Sequence, residues 1–368
     1  MPAENGECAS LGRGLDPAAT RGTDFMKRLQ NTLYAMSEGM YLHHEGEAVV
    51  AERDHHVVMR LPIHTISGIV AVAGNVTVSP HLQNLCCERG VAVSYLDRNG
   101  KFLARVEGPV SGNVKLRLSQ VRAYEDVNRK GSIARSFVIG KVMNCRNVLL
   151  RRLRDHGADV AVESAAERLK GSLAALRDAK PDVATIRGIE GEAALEYFKV
   201  FDRLRTAGGE AFRFEQRNRR PPRDPMNALL SFLYVLLAHD CRGALECVGL
   251  DPQIGYLHEI RPGRSSLALD LMEEFRAVLA DRLALSLVNL RQVTERDFKV
   301  TESGAVLMSD DARKTVLSAW QKKKQEEIMH PFLEEKMAAG LVVHYQALLL
   351  ARHLRGDLDA YPPYLLQK

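Results

Sequence analysis

The first thing this sequence lacks is a membrane-spanning segment. No apolar run approaches the roughly 20 residues that cross a bilayer, so no membrane association is expected. Metal-binding cysteine patterns are missing as well. The six cysteines (Cys8, Cys86, Cys87, Cys145, Cys241, Cys247) form no CxxC pair and no zinc spacing, and no secretory signal precedes them. Reduced thiols in a cytoplasm are the simplest expectation. There is no internal repeat. Acidic residues are nearly absent from one window: residues 111–154 hold eleven lysines and arginines (Lys115, Arg117, Arg122, Arg129, Lys130, Arg135, Lys141, Arg146, Arg151, Arg152, Arg154) against only Glu125 and Asp126. The net charge of +5 says little by itself. The local excess suits a phosphate-binding surface, with a solvated helix face as the plain alternative.

What is present is enough chain for two domains and a large core. The 368 residues are 46% hydrophobic and 26% charged, the composition of an ordinary soluble protein. Residues 1–25 show no periodicity and read as a disordered tail, or as an extension upstream of a start near Met26. From Leu29 to Val106 short Val-, Ile- and Tyr-rich runs alternate with turn signals at Glu45-Gly46 and Asp97–Gly100, the pattern of a β domain. Ser79-Pro80 caps a short helix that Gly90 ends. The adjacent pairs His43-His44 and His55-His56 point to opposite strand faces and do not chelate easily. Gly108-Pro109 and Ser111-Gly112 mark a linker.

Beyond it the apolar period is helical. Helices are expected over 114–124, 132–153, 160–177, 191–205, 226–238 (capped by Asp224-Pro225), 267–290, 310–329 and 331–354. A basic loop over 206–224 ends in Arg219-Arg-Pro-Pro-Arg223, and Tyr361-Pro-Pro-Tyr364 is extended.

The stretch Gly249–Arg276 organises the rest. A turn-rich loop delivers His258, and a helix follows with Asp270, Glu273 and Glu274 at i, i+3 and i+4. Those positions share one helix face, where like charges repel unless water, arginine or a metal ion compensates. Small residues continue the face at Ala277, Ala280 and Ala284, as in a site wall. A further carboxylate, Glu190, lies between Gly188 and Gly191 at the opening of a helix. It falls on the apolar stripe of Ala193, Ala194, Tyr197, Phe198 and Phe201, while Glu192, Glu196, Lys199 and Arg203 take the solvated face. A buried carboxylate must be neutral, paired with arginine or bound to a cation; a helix N-terminus stabilises one equally well through its dipole. Carboxylates plus one imidazole make an oxygen-rich ligand set suited to Mg²⁺ or Mn²⁺.

Four ordered motifs then carry a resemblance. They are Gly188-Ile-Glu-Gly191 leading to Tyr197-Phe198, Arg219-Arg-Pro-Pro with Asp224-Pro-x-Asn227-Ala-Leu-Leu-Ser231-Phe-x-Tyr234, Gly249-Leu-Asp-Pro-x-x-Gly255-Tyr-Leu-His258, and Arg264-x-Ser266 through Arg276. From about Met26 to Leu366 the chain resembles the CRISPR-associated integrase, the endonuclease of the spacer-acquisition module. Asn31-Thr-Leu-Tyr34 and Tyr361-Pro-Pro-Tyr364 look most like its type I-C subfamily. The resemblance implies an α+β multidomain chain, with an N-terminal β-sandwich-like dimerisation domain (26–107), a linker (108–113) and an all-α catalytic domain (114–368). It implies a homodimer, a small dimeric CRISPR-associated partner bridging two dimers, double-stranded DNA (protospacer and repeat) as substrate, and a prokaryotic cytoplasm; an end-processing nuclease is a further possible partner. The family's metal ligands fall on Glu190, His258 and Glu273. Asp270 orients His258 or a bound water, and Glu274 is supporting or surface. Arg219, Arg220 and Arg264 are candidates for phosphate contacts, with Arg217 and Asn227 behind them; each is also explained by an ion pair or a helix cap. Two other classes stay open: a non-catalytic DNA-binding scaffold of a multi-subunit complex, and a small-molecule metallohydrolase.

Overall fold

A computed structural model describes residues 32–366 apart from 36, 38, 67, 72–75, 97–101, 107, 109–113 and 181. The residues 1–25 tail, the Met26 start, the Asp97–Gly100 turn and most of the linker lie outside the described residues.

Strands dominate the first part: β1 (Thr32–Ala35), β2 (Met40–Glu45), β3 (Ala48–Arg53), β4 (His56–Pro62), β5 (Gly68–Ala71), β6 (Thr77–Val78), β7 (Ala92–Leu96) and β8 (Phe102–Val106). They form two four-stranded sheets, ordered β4-β3-β2-β6 and β1-β5-β7-β8. β5 is flanked by parallel partners on both sides and is buried at every position, as its unbroken apolar sequence dictates. Asp54 and His55 turn β3 into β4 with φ of 50° and 62°, the left-handed pair that a two-residue hairpin requires. Leu42, Val49 and Ala51 from one sheet, Ile69 and Val93 from the other, and Leu82 of α1 (Pro80–Glu88) share one apolar core. His43 pairs with Glu52 and His44 with the Gly46 carbonyl, so neighbouring rings go to different partners.

Helices dominate the remainder: α2 (Val114–Glu125), α3 (Val127–His156), α4 (Val160–Asp178), α5 (Val183–Lys199), α6 (Pro225–Cys247), α7 (Ser266–Glu273), α8 (Arg282–Asn289), α9 (Asp310–Gln325) and α10 (Ala339–Arg355). A second core runs through them. Aspartates cap four of them. Asp126, Asp159, Asp182 and Asp224 each accept backbone N–H groups at the starts of α3, α4, α5 and α6.

Several expectations are corrected. α6, with 23 residues, is long and apolar enough to cross a membrane by length and composition, contrary to the reading of the apolar runs. It serves instead as a core helix: 56% of its most apolar window is buried inside the fold. α5 starts at Val183, not near Gly191, so Glu190 lies inside a helix and the N-terminal dipole does not explain it. Glu196 is not on a solvated face; it is buried and paired with Arg168 at 3.0 Å and Lys199 at 2.5 Å. The segment after α9 is a hairpin, β11 (Glu327–His330) with β12 (Glu335–Ala338), before α10 begins. A second hairpin, β9 (Phe298–Val300) with β10 (Val306–Met308), also falls between helices. The helix expected over 267–290 is broken by a π-helical turn at Arg276–Asp281.

The two parts meet at the C-terminal end of α6. His239 shares a hydrogen bond with the Ser94 hydroxyl at 2.8 Å, and Glu246 pairs with Arg105.

Candidate functional site

Three elements converge on one point. α5 brings Glu190, the loop before α7 brings His258, and α7 brings Glu273. Lys141 of α3 joins them: its ammonium contacts Glu190 Oε1 and lies 2.8 Å from Glu273 Oε2. His258 Nε2 is 3.9 Å from Glu273 Oε1, and Arg276 Nη2 is 3.0 Å from the same oxygen. Glu190 is thus paired with lysine rather than with arginine.

The loop is built to aim His258. Asp270 is fully buried, and its two oxygens accept the backbone N–H groups of Tyr256, Leu257 and His258 at 2.6, 3.0 and 2.9 Å. His258 Nδ1 lies 2.7 Å from Asp270 Oδ1. Donation of the Nδ1 proton to that carboxylate leaves the Nε2 lone pair directed at the cluster. Gly255 makes the turn possible: a Cβ there would stand 2.7 Å from Ser266 Cβ and 3.0 Å from Asp270 Oδ2. Arg187, one helical turn before Glu190, donates to the Leu257 carbonyl at 2.8 Å and to Glu259 at 2.9 Å, tying α5 to the loop on both sides of His258.

The three carboxylates of α7 and its C-terminal end do not form one wall. Asp270 serves the loop and Glu273 the cluster. Glu274 is fully buried and faces elsewhere, accepting from Tyr361 Oη and Tyr364 N at 2.7 Å each and from Gln346 Nε2 at 3.0 Å. Their charge states diverge accordingly. Burial raises the carboxyl pKa of Glu273, but Arg276, then Lys141 and His258, outweigh it and hold the group down at about 2. Burial dominates at Glu274 and pushes it up to about 8. Asp281 is pushed up to about 6 by burial, against the hydrogen bonds donated by Tyr234 (2.6 Å) and Tyr197 (3.2 Å).

The basic residues divide. Arg219 and Arg220 are exposed on the loop before α6, and Arg264 is half-buried with Arg261, Arg219 and Arg187 close enough to lower its pKa after burial does. Arg217 is engaged inward, donating to Ser231 at 3.0 Å and to Asn227, and stacking 5.2 Å from the Tyr234 ring. Asn227 is fully buried and binds Asp224 and the Gln216 carbonyl, so it holds the loop. Four of the eleven basic residues of the 111–154 window are structural: Arg135, Arg146 and Arg152 donate to backbone carbonyls, and Lys141 is in the cluster.

Sequence reasoning missed Lys141, although a signal was present. It sits four residues after Phe137 and four before Cys145, inside the buried stripe of α3, where an unpaired ammonium is costly. It likewise missed Arg187, which lies three residues before Glu190.

The donor set suits a divalent cation. Two carboxylates and an imidazole supply the oxygens and nitrogen that Mg²⁺ or Mn²⁺ accept. Glu273 Oε2 is buried without a hydrogen-bond partner, since the nearby Lys141 ammonium is misaligned for one. Among the described residues, no three His, Cys, Asp or Glu side chains stand close enough to hold an ion as they are; the ammonium lies between two of them.

Residues 33–322 match the family model for CRISPR associated protein Cas1. The chain is 54% identical over 345 residues to the CRISPR-associated endonuclease Cas1 2 of Rhodospirillum rubrum, an alignment covering 92% of this chain and 99% of that protein. A Cas1 protein from Thermotoga maritima has a similar structure, with TM-score 0.75 and 25% identity over 90% of this chain and 99% of that one. A casposase bound to integration product shares the fold, with TM-score 0.76 and 23% identity over 92% of this chain and 94% of that one. On the family match and the relative's near-complete overlap, this chain belongs to the CRISPR-associated Cas1 family.

Proposed function

We infer that the protein is a metal-dependent DNA endonuclease and integrase of CRISPR adaptation, joining short duplex DNA to the repeat array by attack of a 3′-hydroxyl on a repeat phosphodiester. One observation carries this reading. Glu190 and Glu273, 83 positions apart in the chain, flank one ammonium, and His258, its imidazole fixed by Asp270, stands 3.9 Å from Glu273. Membership of a family whose relatives are named endonucleases supports it.

Glu190, Glu273 and His258 Nε2 are the groups that would hold Mg²⁺ or Mn²⁺. The ion would stabilise charge on the phosphoryl oxygens and lower the pKa of an attacking hydroxyl or water. Glu273, held near pKa 2, offers its anionic form throughout the working pH range. Asp270 keeps the imidazole in the tautomer that presents Nε2. Arg219, Arg220 and Arg264 would seat backbone phosphates beside the cluster, whereas Arg217 and Asn227 shape the loop that displays them. With water in place of the hydroxyl, the same groups would serve hydrolysis.

By the same reading the β-rich part is the dimerisation domain of a homodimer, joined at residues 108–113 to the catalytic domain. In this reading a small CRISPR-associated partner bridges two dimers in a prokaryotic cytoplasm; one fold neighbour is a Cas6-RT-Cas1–Cas2 complex. Tyr361-Pro-Pro-Tyr364 supports placement in the type I-C subfamily.

Glu190→Gln and His258→Ala test the site. Each should lose at least about 100-fold in Mn²⁺-dependent cleavage and strand joining, while circular dichroism and duplex binding stay near wild type. Full activity in either variant removes the site assignment.

A further inference from the structure

Lys141 is the member of the cluster that the proposed chemistry leaves without a task. Its side chain is only 9% exposed, and its one nitrogen stands against both carboxylates assigned to the cation. Arg276 adds a second positive charge at Glu273. Two acids and two bases therefore already balance around Lys141 and Glu273, the two buried members. Adding a doubly charged ion to a balanced, partly desolvated cluster gains little attraction and strips the ion of water. Geometry sharpens the conflict. Mg²⁺ and Ca²⁺ type cations need ligand oxygens at about 2.0–2.6 Å, which leaves no room for an ammonium between the same two carboxylates.

The backbone beneath Lys141 has little room to move. A Cβ on Gly140 would stand 2.9 Å from the Glu274 side chain and 3.1 Å from that of Pro363, so α3 is already in close contact there. Asn144, one turn on, donates to the carbonyls of Glu274 and Tyr364 at 2.8 and 2.9 Å. Making space therefore falls to the lysine side chain, which has four flexible methylenes. Lys141 Nζ lies 2.8 Å from the buried Glu273 Oε2, the oxygen a cation would need.

We propose that Lys141 is an internal counter-ion standing in the divalent cation's position, so that metal loading displaces its ammonium from Glu190 and Glu273. The inference rests on the metal-dependent reading of this site. Its consequence is a site assembled before the ion arrives, at the cost of weaker ion affinity than the three ligands alone would give.

The test titrates Mn²⁺ into the full-length protein and Lys141→Met, following thermal melting and calorimetric binding. Metal-free Lys141→Met should melt below wild type, because Glu190 then loses its ammonium partner and Glu273 keeps only Arg276. It should bind Mn²⁺ at least tenfold more tightly. A variant that binds no tighter than wild type overturns the proposal. Should Lys141→Met fail to fold, wild-type crystals soaked in Mn²⁺ decide the matter alone. The expected result is an anomalous peak between Glu190 and Glu273 with Nζ out of contact with both. An ion bound there while Nζ still touches either carboxylate overturns displacement and leaves the metal site standing. Wild type that takes up no Mn²⁺ in either experiment overturns the metal reading itself, and this inference with it.

Discussion

At the scale of single residues, the site depends on carboxylates that share a helix face and have nothing else in common. Asp270 accepts three backbone N–H groups and sits against His258 Nδ1. Asp270→Asn replaces one accepting oxygen by a donor, and should cost about 2 kcal/mol or more of stability and about 10- to 100-fold in metal affinity. Urea unfolding and Mn²⁺ titration measure the two effects, and a variant neutral in both would deny Asp270 its orienting role. Asp281 gives a pH signature. Its carboxyl is raised from 3.8 to about 6, so between those values only the native state holds the proton. Stability is greatest below the unfolded value and is lost as pH rises through the native one, by about 3 kcal/mol. Asp281→Asn should remove that decline between pH 4 and 7 apart from a constant offset. Parallel wild-type and variant curves would contradict the shift.

At the scale of elements, loop and strap matter more than helix. The loop before α7 turns through Gly255 with no space for a side chain. Gly255→Ala should cost about 1–3 kcal/mol from overpacking and lose activity disproportionately, because the displaced segment carries His258. Equal activity per folded molecule would show the loop tolerates the shift. The strap at 361–366 is fastened through Glu274, Asn144 and Asn147. Tyr361→Phe leaves buried Glu274 without one of its donors, and should lower stability by about 1–3 kcal/mol; an unchanged melting temperature would mean water takes that place.

At the scale of the whole molecule, the expected track for DNA is narrower than the basic composition implies. Exposed Lys115, Arg122, Arg151 and Arg154 add to the basic surface, and Arg219, Arg220 and Arg264 are the candidates that remain near the cluster, with Arg217 turned inward. Each replacement by Ala should reduce the slope of log affinity against log salt by about 0.9 on duplex DNA. A triple variant with the wild-type slope would move the track elsewhere. The split into strand-rich and helix-rich parts was legible because residue period changes from two to 3.6 near residue 110. Asp224-Pro225 gave a helix start directly, since cap and first turn are local chemistry. The start of α5 was misread because Gly188 and Gly191 looked like boundary signals, yet Ile186, Ala193 and Tyr197 run one buried stripe across them. The hairpin of β11 and β12 has no glycine at its turn, where Glu334 itself takes φ 54°. Helical spacing placed Asp270, Glu273 and Glu274 together but carried no information about what each would meet across the core. That depends on Lys141, Tyr361 and a loop, all distant in the chain.

The lysine bridge has a practical corollary. In many metalloproteins chelation leaves bare acids in mutual repulsion, and the fold suffers. Here the chain supplies its own positive charge to the same oxygens. Protein dialysed against EDTA should therefore unfold in one sharp calorimetric transition, within a few degrees of the untreated sample, and should recover nuclease activity on simple remetallation without a refolding step.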